Sequence, residues 1–169
     1  MRTSIEIGKA LGIPIKLHIT FLLILPPFIL IFMNQPSPFG FAEIEPFYAR
    51  FILATLTTII LFACVIAHEL SHSYIAMRHG VAIESITLFI FGGIASMRTI
   101  PKDPRVEARI AIAGPLMSIF LATIFIAVQI PFTGHVQLRQ GVEGVVPLPL
   151  AVAVMVVGLL DLYGVVVAV

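Results

Sequence analysis

The chain has 169 residues, of which 59% are hydrophobic and only 11% are charged, and its mean hydropathy is +1.09. A soluble domain of this size carries about a quarter charged residues, so this composition excludes a soluble globular protein and indicates an integral membrane protein. The net charge of +1 gives no sign of a nucleic-acid partner, and the single cysteine excludes an internal disulfide.

Four apolar stretches are candidates for membrane-spanning helices, each of which needs about 20 residues. In chain order they cover residues 17–33, 51–77, 110–130 and 145–169. The first is short, so we expect it to be extended by residues 13–15, and Pro26 and Pro27 should kink it. Residues 1–16 are charged and lack an apolar core, so we expect no cleavable signal peptide.

The basic residues indicate how these spans are oriented. Eight of the ten lie before the first stretch or between the second and third, whereas Arg50 and Arg139 occupy the other two connections. Cytoplasmic loops carry the excess of Lys and Arg. We therefore expect both termini, and the connection between the second and third spans, to lie in the cytoplasm.

Residues 80–100, GVAIESITLFIFGGIASMRTI, differ in character from the four stretches. They are rich in β-branched and aromatic residues with some alternation, and Gly92 and Gly93 interrupt the run. This pattern predicts a β-hairpin that turns at the glycine pair. In lipid such a hairpin must be covered by protein or lie at the interface, because its backbone groups need partners. A short hydrophobic helix is the alternative.

The sequence AHELSH at residues 67–72 places polar side chains inside the second apolar stretch. Positions four apart share a helix face, so His68 and His72 can bind one ion and Glu69 can reach a water molecule beside it. HExxH on a helix is the pattern of zinc proteases, with two histidine ligands and a glutamate general base. Zinc lowers the pKa of its bound water toward ~7, which prepares that water to attack a peptide carbonyl.

The depth of this motif supports a functional role. Arg78 should mark the cytoplasmic interface, and at ~1.5 Å per residue the motif would lie ~9–15 Å below it. An ionisable side chain at such depth is a functional-site hypothesis by default; the alternative is three polar side chains that satisfy one another. Cys64 would lie ~12 Å from His72 along the helix axis, too far to share an ion with it, so we interpret Cys64 as a buried apolar residue.

Four motifs together resemble the site-2 protease family of intramembrane zinc metalloproteases. GIPIKLHITFLLIL is similar to the family's first span, with His18 at its usual histidine, and AHELSHSYIAMRHGV is similar to its metal-binding helix. LFIFGGIASM resembles its hairpin, and RIAIAGPLMSIFLA resembles a helix start at Gly114-Pro115. These motifs cover most of the chain, and their order is far more specific than HExxH alone.

The resemblance implies one Zn²⁺ held by His68 and His72, with Glu69 as general base. It implies a single integral membrane metalloprotease domain over residues 1–169, in a prokaryotic cell membrane. Its substrates would be single-span membrane proteins, such as anti-sigma factors or membrane-tethered regulators. A hairpin shaped by Gly92 and Gly93 would hold them extended, since a helical substrate keeps its peptide carbonyls occupied. The alternative for the hairpin is a structural plug without substrate contact.

Two positions keep more than one interpretation. His18 either faces the catalytic water or lies at the headgroup boundary. For Gly114-Pro115 we favour a packing role, because proline is tolerated in a first helical turn and small residues let helices approach closely.

One expected feature is missing. The family's third zinc ligand is an aspartate in an Asn-Pro…Asp-Gly type motif of a later span, and the sequence instead ends LLDLYGVVVAV. Catalytic zinc takes three protein ligands plus water. Three explanations remain: the chain is a truncated N-terminal core of a six-span fold, which we favour; Asp161 substitutes; or another chain supplies the ligand.

The expected fold is thus an α-helical polytopic membrane protein with about four transmembrane helices and a membrane-associated β-hairpin after the second. Without a third ligand, activity of this chain would be low or absent, so a non-enzymatic zinc-binding membrane regulator is the alternative function. A metal transporter fits less well, because transporters spread polar ligands over several spans, whereas here they lie on one helix.

Overall fold

The computed structural model describes residues 4–36, 39–90, 92–98, 101 and 103–136. Four strands and three helices follow one another in the order β1 Ser4–Ala10, β2 Ile13–His18, α1 Phe21–Asn34, α2 Phe47–Arg78, β3 Ile83–Phe89, β4 Gly92–Met97 and α3 Pro104–Val136. The predicted fourth span at 145–169, which includes Asp161, lies outside the described residues.

Two helices in the described part of the chain are long and apolar enough to cross a membrane. They are α2 and α3, and the most apolar 18-residue window of each has a mean hydropathy of 2.3. The second and third predicted spans are therefore present as helices. The first is shorter than expected, because α1 has 14 residues and about 20 are needed to cross the hydrocarbon core. Pro26 and Pro27 lie inside α1, as expected.

The expected extension of the first span through residues 13–15 is wrong, because these residues form strand β2. Leu11 and Gly12 both have positive φ angles, 52° and 80°, which is the backbone of a tight two-residue hairpin turn. That turn joins β1 to β2, with Ala10 opposite Ile13. Alternate residues Ile13 and Ile15 are buried, so the apolar residues before α1 follow the period of a strand and not of a helix.

The four strands form one sheet in the order β1-β2-β3-β4. The β2–β3 pair is parallel and the two outer pairs are antiparallel. Leu88 of β3 is buried in a cluster with Phe21 of α1 and with Phe62 and Val65 of α2, so the sheet packs onto the helices through its central strands. Strand β4 pairs only with β3 among the described strands, so no described strand covers its other edge.

The predicted hairpin is present, but the glycine pair does not form its turn. Gly92 lies opposite Phe89 and Gly93 lies opposite Leu88, so both glycines belong to the first positions of β4 and the turn precedes them. Gly92 has a φ of +125°, a conformation that only glycine adopts readily. The break in the apolar pattern was therefore a correct sign of a hairpin whose turn lies two residues earlier.

Helix α2 ends in a motif that directs the chain into the sheet. Gly80 has a φ of +79°, its N–H bonds to the Met77 carbonyl, and the Val81 N–H bonds back to the Ala76 carbonyl, both at 3.0 Å. This is the Schellman arrangement of a helix C-terminus. Val81 and Ala76 also share a buried cluster with Ile110 of α3, so the end of α2 is fixed against the start of α3.

The expectation that a helix begins at Gly114-Pro115 is wrong. Helix α3 begins at Pro104, where Asp103 accepts a hydrogen bond from the Arg105 N–H at 2.9 Å and so caps the helix. Gly114 and Pro115 therefore lie well inside α3. The family resemblance implies a helix start at Gly114-Pro115, but the proline in the first turn of α3 is Pro104.

Candidate functional site

The two histidines of HELSH lie on the face of α2 that packs against α3. His68 is 2% exposed, and its Nε2 lies 3.1 Å from Nε2 of His72. Two nitrogens that bind one tetrahedral zinc at ~2.0–2.1 Å are ~3.3 Å apart. The helix spacing thus brings the two ring nitrogens to the separation that a shared ion requires.

Hydrogen bonds from α3 hold both rings by their opposite nitrogens. Nδ1 of His68 lies 2.8 Å from the hydroxyl of Ser118, which is 1% exposed. Nδ1 of His72 donates to the Ile110 carbonyl at 2.6 Å. Since a carbonyl only accepts, Nδ1 of His72 carries the proton and a neutral ring keeps its lone pair on Nε2. This is how histidine ligands are usually oriented for a metal.

Because Gly114 has no side chain, the space in front of the two Nε2 atoms stays free of a methyl group. A methyl group added at this glycine would overlap Nε2 of His72 and lie 2.5 Å from Nε2 of His68. The backbone of α3 therefore approaches the histidine pair as closely as a glycine permits. This close approach agrees with a packing role for Gly114-Pro115, and it also brings Gly114 to the candidate metal site.

Glu69 lies beside the hairpin. A methyl group added at Gly93 would overlap Cγ of Glu69 and lie 3.1 Å from its Cδ, so strand β4 and the carboxylate of Glu69 are in direct proximity. Gly92 has open space around its Cα, with nothing within 4 Å of an added methyl group. Of the two glycines predicted to shape the substrate loop, only Gly93 reaches the candidate catalytic residue.

The donor set found here fits zinc in type and spacing, but it is not complete within the described residues. Two neutral imidazoles are typical zinc ligands. No group of three or more His, Cys, Asp or Glu side chains that could hold an ion is present in the part of the chain that the structure describes. Cys64 lies in a hydrophobic cluster with Phe41 and Leu61, as expected for a packing residue. Asp161, the candidate third ligand, lies outside the described residues.

His18 lies at the end of β2, next to the hairpin. Its Nδ1 is 2.8 Å from the hydroxyl of Thr20, and its ring is 4.8 Å from the ring of Phe89 at the end of β3. These contacts place His18 on the sheet. A role beside the catalytic water and a role at the headgroup boundary both remain predictions.

Ser118 was missed by the sequence reasoning, although a signal was present. It is a polar residue inside the apolar run of α3, and it lies four residues after Gly114, on the same helix face. The Ile110 carbonyl could not have been found in this way, because any backbone carbonyl of α3 was an equal candidate before the helices were packed.

The comparisons with known proteins agree with this geometry. Residues 56–166 match the sequence model of peptidase family M50. The chain is 42% identical over 129 residues to a zinc metalloprotease of Methanocaldococcus jannaschii, a match that covers 76% of this chain and 33% of that protein. It is 35% identical over 161 residues to a Synechocystis sp. protein named as a zinc metalloprotease, covering 94% of this chain and 42% of that protein.

A solved structure gives the same answer at the level of the fold. The site-2 protease from Methanocaldococcus jannaschii superposes with a TM-score of 0.63 at 34% sequence identity, covering 94% of this chain and 64% of that one. The chain itself spans 42% and 33% of the length of the two sequence relatives. The two long apolar helices and these relatives together indicate a membrane protein, and the chain belongs to peptidase family M50, the site-2 protease family.

Proposed function

We propose that this protein is an intramembrane zinc metalloprotease that hydrolyses peptide bonds of membrane-spanning polypeptides. The observation that carries the proposal is the 3.1 Å separation of the Nε2 atoms of His68 and His72. The pair lies inside a long apolar helix, next to Glu69. Ionisable side chains at membrane depth are expensive and mark function by default, and an ion-binding pair beside a carboxylate is the arrangement of metal-assisted hydrolysis.

His68 and His72 would hold the zinc ion through Nε2. Bound zinc would polarise the scissile carbonyl and lower the pKa of the attacking water toward ~7. Ser118 and the Ile110 carbonyl keep the two rings oriented with their Nε2 atoms toward Gly114. In this role Ser118 is a positioning residue, because it acts through His68 and not on the substrate.

Glu69 would act as the general base and then as the proton donor. It takes the proton of the water molecule as the oxygen attacks the carbonyl carbon, and it returns a proton to the leaving nitrogen as the peptide bond breaks. Its position against Gly93 supports this role, because strand β4, which would carry the substrate, lies directly beside the Glu69 side chain.

Strand β4 would present the substrate. One edge of β4 is open among the described strands, and an extended peptide can add to such an edge through backbone hydrogen bonds. Since Gly93 of β4 also contacts Glu69, a peptide paired to β4 would lie close to the general base. The substrates would be single-span membrane proteins, such as anti-sigma factors or membrane-tethered regulators, once their helices unwind locally.

The third zinc ligand would come from outside the described residues. Asp161 is one source within this chain, and a further segment of a longer protein or a second chain is another. The sequence relatives are more than twice as long as the matched region, which supports a source beyond residue 169. The basic residues between α2 and α3 support a site near the cytoplasmic face, with both termini on that side.

The proposal is tested with the full-length protein in proteoliposomes that contain a membrane-spanning substrate. Glu69→Gln should reduce cleavage by about 10²–10⁴-fold, the usual contribution of a general base, and should leave bound zinc unchanged. Glu84→Gln is the matched control, because Glu84 is exposed and pairs with Arg98 at 3.0 Å, on the surface of the sheet. Normal cleavage by Glu69→Gln would overturn the proposed role of Glu69.

A non-enzymatic zinc-binding regulator is the second candidate. The incomplete ligand set within the described residues favours it, because two histidines alone do not make a catalytic site. One experiment distinguishes the two functions. A full-length protein that binds one zinc ion per chain but cleaves none of a panel of membrane-spanning substrates is a regulator. Measurable cleavage excludes this alternative.

A further inference from the structure

A second concave surface lies on the flank of the α2–α3 pair, outside the site proposed for catalysis. It is a groove of about 520 Å³ lined by residues of both helices, within the range of ~300–1,000 Å³ that is typical of ligand sites. Below Arg109, its α3 wall includes Ile112, Leu116 and Phe120, which are 47%, 59% and 59% exposed. This wall is apolar throughout and faces outward from the helix pair.

The charge in this groove is confined to one end. Arg109 and His79 are the only ionisable residues among the lining residues, and both belong to the basic end of the helix pair, near Arg78. Arg109 makes no ion pair or hydrogen bond with any other described residue, in contrast to Arg98, which pairs with Glu84. The groove therefore offers an unpaired guanidinium at its mouth.

Ser71, the remaining polar residue of the groove lining, does not need a hydrogen bond from an occupant. Ser71 donates its hydroxyl hydrogen to the Ala113 carbonyl at 2.9 Å, so its hydrogen bond is already made across the helix pair. Below the cationic end, an occupant would meet only hydrocarbon, such as Ile75 and Met117. An acyl chain satisfies that surface, and a polar peptide would leave its own backbone groups unpaired.

The length of the groove matches one leaflet of a bilayer. Phe120 lies eleven positions after Arg109, which corresponds to ~16 Å along α3. Half of the ~30 Å hydrocarbon core is ~15 Å. A lipid whose phosphate lies at Arg109 would therefore extend one acyl chain past Leu116 to about Phe120, near the bilayer centre.

From this charge and length complementarity we infer that the groove between α2 and α3 binds one anionic phospholipid, with its phosphate on Arg109 and one acyl chain along the apolar wall. Guanidinium groups pair with phosphate through charge-assisted hydrogen bonds, and an anionic headgroup gains more from the unpaired Arg109 than a zwitterionic one. Lipid binding in this groove does not require proteolytic activity, so it is tested independently of the proposed function.

Residues 1–169 contain no tryptophan, so a direct optical test is possible once any tryptophan elsewhere in the full-length protein is replaced by phenylalanine. Leu116→Trp places a single fluorophore in the groove of the full-length protein in nanodiscs. Its quenching is compared between brominated phosphatidylglycerol and brominated phosphatidylcholine at equal mole fractions. Phe120→Trp is a second probe of the same groove, in case Leu116→Trp does not fold. Ile59→Trp is the control, because Ile59 is 57% exposed on α2 and does not line the groove.

We expect the groove probes to report about five-fold tighter association of the anionic lipid, the factor associated with one basic residue near an anionic lipid. Arg109→Gln should remove this preference. Arg78→Gln makes the same change in charge at an exposed residue whose guanidinium lies over the Tyr74 ring, and it should leave the preference intact. Ile59→Trp should show equal quenching by both lipids.

Three results would overturn the inference. Equal quenching of the groove probes by both lipids means that the headgroup is not selected. A preference that survives Arg109→Gln means that Arg109 does not select it. Protection of the groove probes from both lipids means that protein, such as residues 137–169 of the same chain, fills the groove.

Discussion

Gly114 is the residue at which the candidate metal site is most sensitive to a single added carbon. Gly114→Ala adds a methyl group that would overlap Nε2 of His72, so we expect zinc affinity to fall by at least about ten-fold, comparable to the loss of an outer-shell partner. Alanine is a better helix former than glycine, so helix propensity cannot explain such a loss. Zinc content after competition with a chelator measures it.

The matched control for Gly114→Ala is Gly8→Ala, because a methyl group at Gly8 would meet nothing within 4 Å. This variant should bind zinc like the unaltered protein. Unchanged zinc affinity in Gly114→Ala would mean that the ion does not lie in front of the two Nε2 atoms.

Gly93 should separate metal binding from catalysis. In Gly93→Ala the new methyl group would displace the side chain of Glu69, whereas His68 and His72 keep their contacts with α3. We therefore expect kcat for a membrane-spanning substrate to fall by about ten-fold or more, since a general base must be within hydrogen-bonding reach of its proton, with zinc content unchanged. Loss of zinc together with activity would contradict this assignment.

Ser118 should affect zinc through the orientation of His68. Ser118→Ala removes the hydroxyl that lies 2.8 Å from Nδ1 of His68, and we expect about 10–100-fold weaker zinc binding. Ser118→Thr keeps the hydroxyl and should restore most of the affinity. Ser96→Ala, at an exposed position of β4, is the control for loss of a serine hydroxyl. Equal zinc affinities for Ser118→Ala and Ser118→Thr would show that the hydroxyl is not what holds the ring.

At the scale of elements, the open edge of β4 is the feature that the proposed substrate binding requires. Successive residues of a strand direct their backbone N–H groups to opposite sides, so one of Ile94 and Ala95 faces the open edge. At the position whose N–H faces the open edge, proline removes that N–H and leaves the hydrogen bonds to β3 intact.

Of the variants Ile94→Pro and Ala95→Pro, we expect one to lose thermal stability and the other to keep it. The variant that keeps its melting temperature should have a raised KM for a membrane-spanning substrate. If that stable variant cleaves with unchanged KM and kcat, substrate does not pair with β4 through that N–H.

The helices and the hairpin could be predicted from sequence because their signals are local. Helix α2 carries an apolar run that ends at a Schellman glycine, and the β3–β4 hairpin carries β-branched alternation and a glycine pair. The β1–β2 hairpin was missed because Ile13 and Ile15 join an apolar run that continues into α1, and the positive φ of Leu11 is unusual for a residue other than glycine.

The candidate site, too, could be predicted only in part from the sequence. His68, Glu69 and His72 were predicted because a spacing of four residues defines one helix face. Their partners on α3 are 38 and 50 residues away in sequence, and no periodicity reports which residues two packed helices will bring together. Gly114 was recognised as a motif, but its contact with both histidines follows only from that packing.

For the whole molecule, the charge distribution predicts a definite topology. Cys64 is the one cysteine of residues 1–169 and is buried, so Cys64→Ala in these 169 residues gives a background for labelling introduced cysteines. Glu84 lies on strand β3, in the part of the chain that connects α2 to α3. Glu84→Cys should react with a membrane-impermeant maleimide only from the cytoplasmic side. Phe39→Cys, between α1 and α2, should react only from the opposite side. The reverse pattern would contradict the orientation deduced from the basic residues.

The most direct test of the whole account is the metal dependence of cleavage by the full-length protein. Cleavage of a membrane-spanning substrate is measured after removal of zinc with a chelator and again after zinc is added back. We expect cleavage to be lost on removal and to recover with zinc, but not in His72→Ala, because that variant lacks one of the two nitrogens 3.1 Å apart. Cleavage that persists in protein verified to be free of metal would contradict it.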